Sequence, residues 1–209
     1  MKLRLSLLFL LVAVLPVHAQ QSTNDLIGGS DRPEASRVTS GKTVYFYPKY
    51  LVFSVDHEAV GADITICRRT AGIKMNAPAT WENLSVIFSL KKEDEANYFS
   101  GIAEDALLVD LGTSPDRVLK IFDIKSGKKV FDHDYRAETA KIINGRYLEV
   151  QRQVKQDIAK LSRSQAEKFP KTAEWLAAGG SAAWFERVIV DLKTFSEKRV
   201  GEPELLMKQ

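Results

Sequence analysis

The chain carries one cysteine, Cys67, and three histidines in 209 residues. A single thiol cannot close a disulfide within the chain, so stability has to come from packing. There is no GxSxG elbow, HExxH pair, CxxC pair or phosphate loop, and most of the chemistry that short motifs make legible is thereby missing. The longest apolar run, Leu5 to Leu15, falls short of the roughly 20 residues that a bilayer span requires. No run of Lys or Arg interleaved with aromatics occurs, which argues against a nucleic-acid groove. The balance of 30 basic and 27 acidic groups becomes 28 − 27 = +1 once the first nineteen residues, with Lys2 and Arg4, are set aside.

Those nineteen residues have the form of a secretory signal: Lys2 and Arg4 at the start, an apolar segment, Pro16, then Val17 and Ala19 as small residues before a cut. The expectation is an exported protein, secreted or periplasmic, with no membrane insertion after cleavage. Residues 20–42 are rich in Ser, Asn, Asp, Gly and Pro and poor in large apolar groups, and are expected to form a flexible leader. Residues 43–209 then make a single β-rich domain.

The most ordered stretch runs from Glu104 to Tyr135 and predicts three strands in succession. Ala106 to Leu111 is a short apolar run, Val118 to Ile124 follows the turn residues 112–116, and Lys128 to Tyr135 follows Ser126 and Gly127. On the middle strand Val118, Phe122 and Ile124 share one face and Leu119 and Ile121 the other, so that strand should be covered on both sides. Thr43 to Val55 is β-rich but broken by Pro48, which predicts two short strands or a bulged edge. Asp63 to Thr70 and Leu84 to Leu90 are further strands, and the charged run KKEDEAN between Leu90 and Tyr98 is a surface connection. Asn144 and Gly145 form a tight turn into Arg146 to Val154. The period then turns helical over about 157–179, with a capping box expected at Ser164 and Glu167 and a helix start near Pro170. Trp184 to Leu192 is the last firm strand. The predicted class is mainly β, in antiparallel meanders of a propeller-blade-like or sandwich-like sheet, with a short helical insertion.

One internal echo stands out. FDIKS at Phe122 to Ser126 is answered by VDLKT at Val190 to Thr194, and Lys128, Lys129, Val130 by Lys198, Arg199, Val200. This resembles the outer-strand hairpins of blades in β-propellers of the quinoprotein or WD type. The resemblance implies blade-like hairpins, too few for a closed propeller, and it carries no functional residue, because blades are scaffolds whose sites differ.

Candidate sites are few. Tyr45, Tyr47 and Tyr50, with Phe46 and Phe53, offer an aromatic platform for a sugar or peptide, set against the commoner fate of such clusters as core. Cys67 beside Arg68 and Arg69 offers a thiolate, and His57 or His133 a base, for an exported hydrolase or thiol-dependent enzyme. Asp132, His133 and Asp134 suggest a metal site, but strand alternation separates the histidine from the two acids, and no metal or other cofactor is called for. The function expected is a non-enzymatic binding or interaction module of the cell envelope or extracellular space, with a protein, peptide or glycan as partner.

Overall fold

The computed structural model describes residues 26–57, 61–81, 84–91, 96–112, 114–154 and 157–208. The expected signal segment and residues 20–25 of the leader lie outside them. The chain folds into two antiparallel sheets and two short helices. The smaller sheet is a meander of β1 (Ala35–Thr39), β2 (Lys42–Phe46), β3 (Tyr50–Asp56), β4 (Ala62–Arg68) and β5 (Val86–Leu90). The larger begins with β6 (Asn97–Ala103), β7 (Ala106–Leu111), β8 (Asp116–Asp123) and β9 (Lys129–Arg136). It continues through the short β10 (Lys141–Ile143), β11 (Tyr147–Gln153), β12 (Ala182–Asp191) and β13 (Ser196–Met207). Its spatial order is β6-β7-β8-β9-β11-β12-β13, with β10 paired to the first part of β11.

Alternation along β8 decides how the layers stack. Phe122, with Ile124 just beyond the strand, faces the smaller sheet and packs with Phe99, Leu107 and Val109 against Tyr45, Val52, Ile64 and Ile66. Leu119 and Ile121 point the other way, into a second core with Leu108, Phe131, Leu148, Val150, Val188 and Val190. The strand is therefore buried on both faces, as its sequence requires. A third cluster, Val44, Phe46 and Leu51 with Ile73 and Trp81, fills the outer face of the smaller sheet beneath the long β4–β5 connection.

Residues 27–42 correct the expectation of a flexible leader. Ile27 is part of the second core, and burying a side chain of that size is worth about 1.5–3 kcal/mol. Its N–H donates to Ser100 O at 3.0 Å, the Asp31 N–H donates to Ile102 O at 2.8 Å, and Gly28 O accepts from the Ile142 N–H at 2.7 Å. The segment thus straps the β6 edge to β10, and β1 follows as an edge strand of the smaller sheet. The fit is close at Gly29, whose φ is +83° and where a Cβ would lie 2.1 Å from the Ile142 carbonyl oxygen. Backbone hydrogen bonds, to which a count of large side chains is blind, hold this stretch in place.

The helices are α1 (Arg163–Lys168) and α2 (Pro170–Ala177). The capping box sits two residues earlier than expected: the Gln165 N–H donates to Ser162 Oγ, and the Ser162 N–H to Gln165 Oε1 at 3.0 Å. Pro170 opens α2, where its missing N–H costs nothing. Because β11 and β12 pair directly, from Tyr147 opposite Asp191 to Gln153 opposite Phe185, the helices are an excursion between neighbouring strands. Their apolar groups do not complete a core: Thr172 is the one buried residue of α2, and Trp175 remains 40% exposed. The two hairpins of the sequence echo, β8–β9 and β12–β13, belong to one sheet.

Candidate functional site

The β2–β3 hairpin turns at Pro48 and Lys49, and its tip hangs over the seam between the two sheets. It is tied there to the turn between β6 and β7. The Tyr50 hydroxyl donates to Asp105 Oδ1 at 2.5 Å, and Lys49 Nζ lies 3.6 Å from the same oxygen. From the β8–β9 turn, Lys125 Nζ reaches Asp105 Oδ2 at 2.5 Å. Burial alone would raise the pKa of Asp105, but Lys125, Tyr50 and Lys49 outweigh it and hold the carboxyl below its ordinary range. Burial, reinforced by the bond to Asp105, pushes the Tyr50 hydroxyl up.

Two hollows flank this tie. The larger, about 640 Å³, is lined by Tyr50, Ile87 and Ile124 as an apolar floor and by Lys49, Arg68, Arg69 and Lys125 as cations, with Asp105 the single acid among its described lining residues. Arg69 is already engaged, donating to Glu34 Oε2 at 2.6 Å and to the Tyr47 carbonyl at 2.9 Å. Arg68, at the end of β4, has no ion-pair partner among the described residues. The result is a half-apolar concavity with a surplus of positive charge. The smaller hollow, about 310 Å³, lies on the other side of the hairpin tip and is bordered by Asp31, Tyr47, Ile102, Glu104 and Asn144. Tyr47 is 1% exposed and its hydroxyl has no hydrogen-bond partner among the described residues, an omission that costs about 1–3 kcal/mol in a buried group.

The tyrosines singled out from sequence do not form an open platform. Tyr45 is buried between the sheets with its ring centroid 4.7 Å from that of Phe99. Tyr47 and Tyr50 are buried as well, yet both border the smaller hollow and Tyr50 borders both. Their rings serve as walls. The charged residues around them, from four separate turns and strand ends, were not legible as a group, because each belongs to a different hairpin. Only the fold brings them to one seam.

The thiol reading finds no geometry. Cys67 is 3% exposed, and burial raises its pKa, away from a thiolate. Leu51 faces Cys67 in the β3–β4 pair, whereas the His57 end of β3 is marked by Asp56 opposite Ala62, roughly 17 Å away at strand spacing. His57 Nε2 instead lies 3.1 Å from Asp63 Oδ1. His133 is in the other sheet, on the face of Phe131 and Tyr135, while Asp132 and Asp134 face outwards. Burial, with Arg152 adding to it, lowers the pKa of His133.

A second charged cluster surrounds His133. Arg152 Nη1 is 3.3 Å from His133 Nε2, and the same guanidinium holds Glu186 at 2.9 Å and pairs with Glu197. Glu186, buried on β12, also pairs with Arg199. Acids and bases here satisfy one another across adjacent strands, so the cluster is better suited to stitching the sheet than to receiving a ligand. The larger hollow, with charge to spare, is the stronger candidate.

Comparison with known proteins supplies no analogue: no family model, no curated protein and no solved structure matches the chain.

Proposed function

We propose that the protein is a non-enzymatic binding module that receives an anionic group of a protein, peptide or glycan in the larger hollow. The observation that carries this reading is the ring of Lys49, Arg68, Arg69 and Lys125 around one acid, over a floor made by Tyr50, Ile87 and Ile124. Concave sites with an apolar floor and a few convergent polar groups are what ligand binding requires. In addition, a cleft lined by one sign of charge concentrates the opposite sign. Export, to the periplasm or beyond, belongs to the same proposal and rests on the signal-like residues 1–19. A thiol-dependent enzyme is disfavoured by the burial of Cys67.

The test is a titration with pyrophosphate as a compact anionic probe, followed by methyl NMR. Saturable shifts are expected at the Ile87 and Ile124 methyls at low salt, weakening as sodium chloride is added. Arg68→Glu should weaken binding by about tenfold, equivalent to about 1.4 kcal/mol. Shifts scattered over surface lysines, with Ile87 and Ile124 silent, would remove the basis for the site.

A further inference from the structure

The smaller hollow has the opposite chemistry. Asp31 and Glu104 line it and have no ion-pair partner among the described residues, while Lys49, the one cation in its described lining, lies 3.6 Å from Asp105 across the tie. The Tyr47 hydroxyl is buried and has no partner among the described residues, and the Asp31 carboxylate is close enough to act on it electrostatically. Asn144 adds an amide, and Pro48 and Ile102 give the hollow apolar walls. The fold explains why these groups meet. Glu104 and Asn144 are the left-handed residues, at φ 54° and 52°, of the β6–β7 and β10–β11 turns, and the strap 27–31 sets Asp31 beside the first of them.

The geometry points to this hollow as a second binding site, for a primary alkylammonium group of the lysine side-chain type. Two carboxylates supply the countercharge, the Tyr47 oxygen and the Asn144 amide can accept N–H bonds, and Pro48 and Ile102 accommodate the methylenes. A doubly charged metal ion suits the hollow less well, since among the described residues no group of three or more His, Cys, Asp or Glu side chains is arranged to hold one. An ammonium asks for hydrogen-bond acceptors without a fixed coordination number. The site is distinct from the basic hollow: the two share the hairpin residues Pro48, Lys49 and Tyr50 but differ in every other lining residue.

The experiment is an NMR titration of the full chain with butylammonium chloride, with sodium chloride at matched ionic strength and calcium chloride as controls. Saturable shifts are expected at the Asn144 and Gly145 amides with butylammonium alone. Because Asp31 also accepts the Glu104 N–H, Glu104→Gln is the decisive variant; it should weaken binding about tenfold while its melting temperature and remaining spectrum stay those of the parent. Tyr47→Phe, which removes only the unpartnered oxygen, should weaken it severalfold, and Lys171→Glu, exposed on α2 and outside both hollows, should leave it unchanged. Equal shifts with sodium chloride, saturation by calcium in place of butylammonium, or unaltered binding in a folded Glu104→Gln variant would each overturn the assignment.

Discussion

The β6–β9 and β10–β13 stretches solve the same local problem twice, and they differ where one of them borders the basic hollow. In the first, Asp123 ends a strand, its Oδ1 accepts the Lys125 N–H at 3.0 Å and its carbonyl accepts the Gly127 N–H at 2.8 Å. In the second, Asp191 does the same for Lys193 at 2.9 Å and Phe195 at 2.7 Å. The likeness extends to the neighbouring turn. The Ile124 N–H donates to the Asp105 carbonyl, and the Leu192 N–H to that of Arg146, both at 2.9 Å. The side chains at these matched positions have opposite charge. Arg146 closes on Asp191 through two bonds, Nε to Oδ1 at 3.0 Å and Nη2 to Oδ2 at 2.5 Å, so the second unit is locked onto itself. In the first, Asp105 instead draws in Tyr50, Lys49 and Lys125 and builds a wall of the basic hollow. One scaffold, two uses.

The comparison breaks most readily at the locked turn. Asp191→Ala removes the turn's side-chain bonds and the Arg146 fork together, and it should lower the melting temperature by several degrees, whereas Asp123→Ala should cost about 1 kcal/mol, the worth of a local hydrogen-bonded turn. The Arg146 side chain, opposed in part by desolvation, holds Asp191 well below the ordinary carboxylate range. A depressed folded pKa gives stability that is fully present above the unfolded value of about 3.9 and is lost as pH falls through the folded one. The gap between parent and Asp191→Ala in thermal melts should therefore be constant from pH 8 to 5 and close only below about pH 4. Equal losses for the two alanine variants would show that the turns are not differently locked.

A smaller effect separates the left-handed positions. Gly127, at φ 70°, has open space around a would-be Cβ, so Gly127→Ala should cost only the conformational penalty of about 1–2 kcal/mol. Phe195 takes the same conformation, at φ 57°, and packs against the second core. Phe195→Gly trades relief of that strain for the lost ring and should destabilise by about 1 kcal/mol in denaturant melts. A stabilised Phe195→Gly protein would mean that the ring contributes nothing to the fold.

Much of this framework was legible in sequence. Ala106 to Leu111 forms a strand at its expected bounds, Pro48 separates two strands, and the opposite faces of Leu119 and Phe122 follow from alternation alone. The repeated Asp-apolar-Lys was visible because turn chemistry is local. β6 was hidden by Ser100 and Gly101, where the pairing slips against β7 and breaks the alternation. Of β13 only the basic start, Lys198 to Val200, was legible through its echo of Lys128 to Val130; the rest was hidden by its charges and Pro203, which an edge strand tolerates. β1 and the strap 27–31 are held by backbone bonds that leave no side-chain pattern. The basic hollow was illegible for another reason: Lys49, Arg68, Asp105 and Lys125 are isolated charges at four chain reversals, and only long-range pairing of the hairpins gathers them. The tyrosines were the nearest signal to it.

Lys125 and Lys193 occupy the same position in matched turns, and only Lys125 borders the basic hollow. The most direct measurement is the pyrophosphate dissociation constant of Lys125→Glu beside that of Lys193→Glu, two variants with identical net charge. Binding in the basic hollow requires a loss of about tenfold or more for Lys125→Glu and an affinity within about twofold of the parent for Lys193→Glu. Equal weakening by both would contradict it, because the anion would then be answering to net charge and not to a site.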